Sequence, residues 1–130
     1  MFSHVMLGAN NIEKSKIFYD AALGAMGVKP SFIDPKGRAM YLHSGGILLL
    51  TKPIDGKEAT AANGSTIGFA AKTPEEADAF HAAGLANGGT AIEDPPGWRE
   101  NGAMRLYLSY LRDPSGNKIC AMHRIPRQIG

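Results

Sequence analysis

The chain has 130 residues, 44% of them hydrophobic and 20% charged, with a formal net charge of +2. That length suits one domain with a real core, and so small a charge, carried by scattered Lys and Arg, gives no pull toward nucleic acid or an anionic membrane. The single cysteine, Cys120, excludes an intrachain disulfide and a cysteine-only zinc site; with no apolar run near the ~20 residues of a membrane helix and no basic-then-apolar start, a soluble cytoplasmic protein is expected.

Phe2 to Gly8 is a short apolar run, read as a strand. Asn10 and Asn11 then supply a helix cap, and Ile12 to Leu23 carries a helical stripe at Ile12, Ser15, Phe18, Tyr19, Ala22 and Leu23, closed by Gly24 and Gly27. Three strand candidates follow: Lys29–Ile33, Arg38–His43 and Gly46–Lys52. They are separated by Asp34-Pro35-Lys36-Gly37 and Ser44-Gly45-Gly46, both turn signals. This half, residues 2–52, reads β-α-β-β-β. Residues 53–64 are polar and aperiodic, a linker.

The pattern then restarts over residues 65–124. Ser65–Ala71 is a strand. Thr73 caps a helix with Pro74 first and Glu75 and Glu76 in its opening turn, and Glu76 makes a capping box plausible. The helix runs to about Ala86 and stops at Asn87-Gly88-Gly89. Thr90–Asp94 is a strand and Pro95–Ala103 a loop. Tyr107 to Met122 is a hairpin turning at Asp113-Pro114-Ser115-Gly116-Asn117. A constant shift lays Ser3–Leu7 over Ser65–Phe69 and Asn11 over Thr73, with Glu13, Phe18, Ala21, Leu23 and Gly27 over identical residues. Allowing for the longer loop, Gly46–Leu50 lies over Lys118–Met122. Cap, stripe, terminating Gly and strand agree together, so the chain is read as an internal repeat.

Strand parity sorts the faces. Val5, Leu7, Ile67 and Phe69 are assigned to the helices. His4, Met6, Thr66, Gly68 and Ala70 take the opposite face. Ile119 and Ala121 are assigned to the helices, Cys120 and Met122 to the site, and Leu48 and Leu50 are taken as their first-half counterparts. Hairpin pairing puts Tyr107 or Tyr110, with Tyr110 preferred, across from Cys120.

Three segments carry a family likeness: His4-Val5 with Asn11-Ile12-Glu13-Lys14-Ser15-Lys16-Ile17-Phe18-Tyr19-Asp20, then Phe80 to Gly89, then Leu111-Arg112-Asp113-Pro114-Ser115-Gly116-Asn117-Lys118-Ile119. With them the chain, from His4 to about Arg124, resembles the vicinal-oxygen-chelate superfamily, which holds glyoxalases, bleomycin-resistance proteins and extradiol dioxygenases. The resemblance implies an α+β fold: two tandem β-α-β-β-β modules forming an incomplete, curled mixed β-barrel, helices outside, around a concave small-molecule site. It also implies a homodimer.

Metal-dependent members place ligands at positions matching His4, Leu48, Thr66 and Cys120. Only His4 keeps a customary donor, so a divalent metal is disfavoured and no cofactor is named. His4 is therefore either a site acid/base or metal ligand, or a histidine hydrogen-bonded to backbone or water. Cys120 reads as a buried apolar thiol. Tyr110 offers a phenol hydrogen bond into the cleft as a second candidate catalytic group. Met6, Leu48, Leu50, Thr66, Tyr107, Cys120 and Met122 are candidate ligand contacts. Trp98, Arg99 and Arg105 join them, the first two from the inserted loop, as a flat apolar surface with fixed positive charge, unless that loop is plain surface or a dimer contact.

Two functions stay open. One is a glyoxalase-like lyase, of the lactoylglutathione kind, or a related enzyme on a small oxygen-bearing substrate. The other is a metal-free small-molecule binder, as the antibiotic-sequestering members are. No phosphate loop, dinucleotide fingerprint or serine-nucleophile elbow is present.

Overall fold

The computed structural model describes residues 1–126. In chain order the elements are β1 (Val5–Gly8), α1 (Ile12–Gly24), β2 (Phe32–Ile33), β3 (Ala39–His43) and β4 (Gly46–Thr51), then β5 (Ile67–Ala70), α2 (Pro74–Ala86), β6 (Thr90–Ala91), β7 (Gly97–Asn101), β8 (Met104–Arg112) and β9 (Lys118–Pro126). The strands form two separate sheets, ordered β1-β4-β3-β2 and β5-β9-β8-β6, with β7 added on β8. β1 runs parallel to β4, and β5 parallel to β9. The fold is α+β with no closed barrel. No helix among the described residues is long and apolar enough to cross a membrane.

Local chemistry explains the element ends. Asn11 Oδ1 accepts the Lys14 amide at 2.9 Å, and Thr73 Oγ1 accepts the Glu76 amide at 3.1 Å; each satisfies one of the unpaired donors at a helix start. Glu76 reaches back to the amide of Lys72, one residue before the position a capping box uses. Both helices have 13 residues, and Ile12 and Pro74 stand the same 62 positions apart as Val5 and Ile67. The repeat is thus built without a gap from strand through helix.

Several boundaries differ from expectation: β1 starts at Val5, not Phe2, and β5 at Ile67, not Ser65, so His4 and Thr66 stand just ahead of their strands, and β8 and β9 run beyond Tyr107 and Met122. β2 starts at Phe32, not Lys29, because Pro30 lacks a donor and the Ser31 amide and hydroxyl both donate to Asp20 Oδ1 at 3.0 Å. β6 ends at Ala91, ahead of Glu93, whose φ is +60°. The expected loop Pro95–Ala103 contains a strand instead: Gly97–Asn101 pairs antiparallel with β8. Its charged, alternating sequence suits an edge strand, and Gly102, at φ +58°, makes the turn into β8.

Each helix covers one face of its own sheet and leaves the other face open. α1 and α2 pack on each other, so the two helix-bearing faces share one core. Phe18, Tyr19, Phe80, Leu50, Leu111 and Ile119 are fully buried there. Val5, Leu7, Ile67 and Phe69 face this core, as strand parity requires. The two sheets share no strand pairing with each other.

Candidate functional site

The open face of the second sheet is ordered in rows. Gly68 pairs with Cys120, which pairs with Tyr110; one step along, Ala70 pairs with Met122, which pairs with Leu108. Gly68 leaves the room Cys120 fills: a Cβ there would lie 3.3 Å from Sγ. Burial pushes the Cys120 thiol from its ordinary 9.0 up to about 11, with Lys118 opposing and Glu93 reinforcing the shift. The thiol is therefore protonated at neutral pH and is not an activated nucleophile. Burial, followed by the neighbouring Cys120 and Glu93, also raises the Tyr110 phenol, which leaves it a hydrogen-bond donor. The pairing of Tyr110 with Cys120 matches the reading from the hairpin.

On the first sheet the open face carries the row Met6–Leu49–Met40, and His4 stands one residue ahead of β1. His4 is exposed, its Nδ1 2.8 Å from Ser3 Oγ. The assignment of Leu48 and Leu50 to this face is corrected. Val5 pairs with Leu48 and Leu7 with Leu50, and both leucines lie in the core, 7% and 0% exposed. The counterpart of Cys120 is Leu49, because Met6 pairs with Leu49 as Gly68 pairs with Cys120. A one-residue slip in a strand exchanges its faces.

The Trp98 group is corrected as well. Trp98 pairs with Tyr107, and the Tyr107 hydroxyl donates to Asp78 Oδ1 of α2 at 2.6 Å. Trp98 and Tyr107 stand edge to face at 5.3 Å, and the Arg105 guanidinium sits 4.5 Å over the indole. Trp98, Arg105 and Tyr107 therefore lie on the helix side of the sheet, opposite Cys120. His123 joins them, 6.4 Å from Trp98. Arg99 has the other parity, but its Nη2 donates to the carbonyls of Asp94 and Pro95.

His4 stands just ahead of β1 and Tyr110 in β8, on two sheets that share no strand pairing. The four positions matched to metal ligands carry an imidazole, the alkyl chain of Leu49, the hydroxyl of Thr66 and a single thiol. Among the described residues no group of three or more His, Cys, Asp or Glu is placed to hold a metal ion. This donor set does not fit a divalent cation.

Three cavities matter here, one of them, of about 520 Å³, lying against Gly68, Ala70, Met122 and Arg124. A second, of about 430 Å³, opens between β1 and β5 and is lined by Val5, Met26, Tyr41, Leu48, Ile67 and Phe69 from the core side. The third, of about 550 Å³, lies at the end of the second open face, between the segment Thr60–Thr66 and the pair Arg112 and Lys118. Sequence reading missed Arg112, Lys118 and Leu49. The signal for the two cations was available: they flank the hairpin turn with the parity of Tyr110 and Cys120.

Residues 1–121 match the family model described as the Glyoxalase/Bleomycin resistance protein/Dioxygenase superfamily. No curated protein matches the chain. Among solved structures, a glyoxalase/bleomycin resistance protein from Albidiferax ferrireducens T118 is 57% identical, covers 95% of this chain and 99% of its own, and superposes with a TM-score of 0.92. A glyoxalase/bleomycin resistance protein/dioxygenase family enzyme from Burkholderia phytofirmans PsJN is 18% identical over 93% of this chain and 96% of its own, with a TM-score of 0.70. The virulence protein STM3117 from Salmonella typhimurium is 20% identical over 96% and 97%, with a TM-score of 0.66. The last two likenesses are of fold alone.

Proposed function

The chain belongs to the Glyoxalase/Bleomycin resistance protein/Dioxygenase superfamily, and from that footing we propose that it is a metal-independent small-molecule-binding protein of the cytoplasm, acting as a homodimer. The observation that carries this reading is the row Gly68–Cys120–Tyr110. It is a shaped, mostly apolar floor with one phenol donor, and it stands where metal-dependent relatives place a carboxylate ligand. Apolar ligand surface removed from water against it contributes roughly 25 cal/mol per Å², and Tyr110 orients the ligand. A lyase that works through a bound metal gets no support from His4, Leu49, Thr66 and Cys120.

The homodimer reading rests on edges. β1 and β5 are each paired on one side only, and a free strand edge is a template for another chain. Joining β1 of one copy to β5 of a second would set the open face with His4 and Met6 beside the open face with Cys120 and Tyr110. It would make one cleft from two half-sites, and His4 would then face the ligand from the second copy.

Native mass spectrometry combined with metal analysis tests the reading. The expected result is a dimer without stoichiometric metal that binds apolar small molecules in thermal-shift titrations. A monomer at micromolar concentration would defeat the dimer, and stoichiometric metal with turnover of methylglyoxal–glutathione hemithioacetal would defeat the metal-free reading.

A further inference from the structure

The open face of the second sheet is not uniformly apolar. One strand step beyond the row Gly68–Cys120–Tyr110 toward the hairpin turn, Lys118 pairs directly with Arg112. Like charges directly opposite on a sheet destabilise it, and this pair is not spread apart onto different faces. Both side chains line the 550 Å³ cavity with Asn63, Ser65 and Thr66, and no acid lines it. Lys118 lies 5.1 Å over the Tyr110 ring and is ion-paired with Glu93 at the side. Arg112 is exposed, and its Nη1 donates to the Gly116 carbonyl at 2.8 Å. A guanidinium has five N–H donors, so this contact leaves donors for a ligand. Two positive charges and one negative leave one positive charge.

Resting on the reading of this face as the ligand site, we propose that the ligand is an amphipathic monocarboxylate. Its carboxylate sits between Arg112, Lys118 and the Thr66 hydroxyl, and its apolar body lies over Cys120, Met122 and Leu108. The planar fork of Arg112 matches a carboxylate, and the single net charge matches one negative charge. Rows two residues apart on a strand are separated by about 6.7 Å, so the Met122–Leu108 row lies two spacings, about 13 Å, from the Lys118–Arg112 row, the reach of an extended eight- to ten-carbon acid with its carboxylate.

The test titrates the purified full chain with sodium octanoate, with 1-octanol and with octyl phosphate by calorimetry at low salt. Octanoate is expected to bind about tenfold or more tighter than octanol, the increment of a charge-assisted hydrogen bond. Arg112→Gln and Lys118→Gln are each expected to remove most of that preference without weakening octanol. The preference should shrink as salt is added. Octanoate binding equally to wild type and both variants, or no more tightly than octanol, overturns the anion site while leaving the apolar face. Octyl phosphate binding more tightly than octanoate overturns the single-charge assignment. If neither octanoate nor octanol binds, the open face is not a ligand site and both readings fall. Arg112 is at the surface, so Arg112→Gln keeps the fold, and an unchanged thermal melt checks this.

Discussion

The Tyr19 hydroxyl donates to Asp113 Oδ2 at 2.6 Å, joining α1 to the β8–β9 turn across 94 residues of sequence. Tyr19 is fully buried and Asp113 is 5% exposed. Asp113 also accepts the amides of Ser115 and Asn117 and the Asn117 side chain, whose Nδ2 in turn reaches the Gly8 carbonyl. One turn thus ties the two halves together with a fully satisfied buried carboxylate, which is what makes its burial tolerable.

Tyr19→Phe removes one donor from that carboxylate and leaves its shape. A hydrogen bond to a charged group contributes about 1.5–3 kcal/mol. A loss in that range, with an unchanged denaturant slope, is the expected result of urea titration. Burial first, then Asp113, raises the Tyr19 phenol well above its ordinary 10.0. Stability from this group is therefore complete below about pH 10 and falls as pH climbs toward the folded value. Tyr41 behaves alike, raised by burial and by Asp20. Alkaline unfolding should set in later for Tyr19→Phe, relative to its own neutral-pH stability, than for wild type.

The acid side depends on Asp20. Burial opposes its charge, but hydrogen bonds from Lys16, Tyr41 and Ser31 outweigh this and hold the carboxyl below its ordinary 3.8. A depressed folded value gives stability that is present above about pH 4 and lost as pH falls through the folded value. Asp20→Asn should therefore flatten the stability profile below pH 4, measured by thermal melts from pH 2.5 to 6. An unchanged slope would remove Asp20 from the account.

Close helix packing can be read from two glycines. A Cβ on Gly84 would collide with Leu111 Cδ1 and lie 3.1 Å from Phe18, whereas a Cβ on Gly24 meets nothing within 4 Å. Gly84→Ala should destabilise by about 1–3 kcal/mol through overpacking, despite its gain in helix propensity. Gly24→Ala should be neutral or stabilising by up to about 1 kcal/mol. Equal effects of the two in chemical denaturation would contradict the packing described.

Leu48→Asp and Leu49→Asp differ by one position and should differ in kind. The first buries a carboxylate in the core and unfolds the protein. The second places it on the face away from the helices, where Leu49 is buried but lies outside the core cluster, so it should cost less stability than the first and weaken binding of apolar ligands. If Leu49→Asp were the variant that unfolds, the strand register would be wrong.

The Cys120 thiol should resist alkylation. Its rise from 9.0 to about 11 lowers the thiolate fraction at pH 8 by about 100-fold relative to the unshifted thiol. Iodoacetamide labelling followed by mass spectrometry should be at least that much slower for the native protein than in urea. Comparable rates in both states would contradict the buried, neutral thiol.

Much of this architecture was legible in the chain because its signals are local. Asn11 and Thr73 cap helices through their own side chains, the shared spacing of the two halves carries the repeat, and period-two alternation places Val5, Ile67 and Phe69 on the core side. The Asp113–Asn117 turn dictated that Tyr110 meets Cys120. Registers between distant strands carry no such signature. Ile47-Leu48-Leu49-Leu50 is apolar throughout, so any offset against Lys118–Met122 reads equally well, and only the pairing of β4 with β1 shows that Leu49 stands on the open face. The same holds for Trp98: whether its strand offers that ring to the ligand face or to α2 depends on the register with Tyr107, and Tyr107 is held by Asp78.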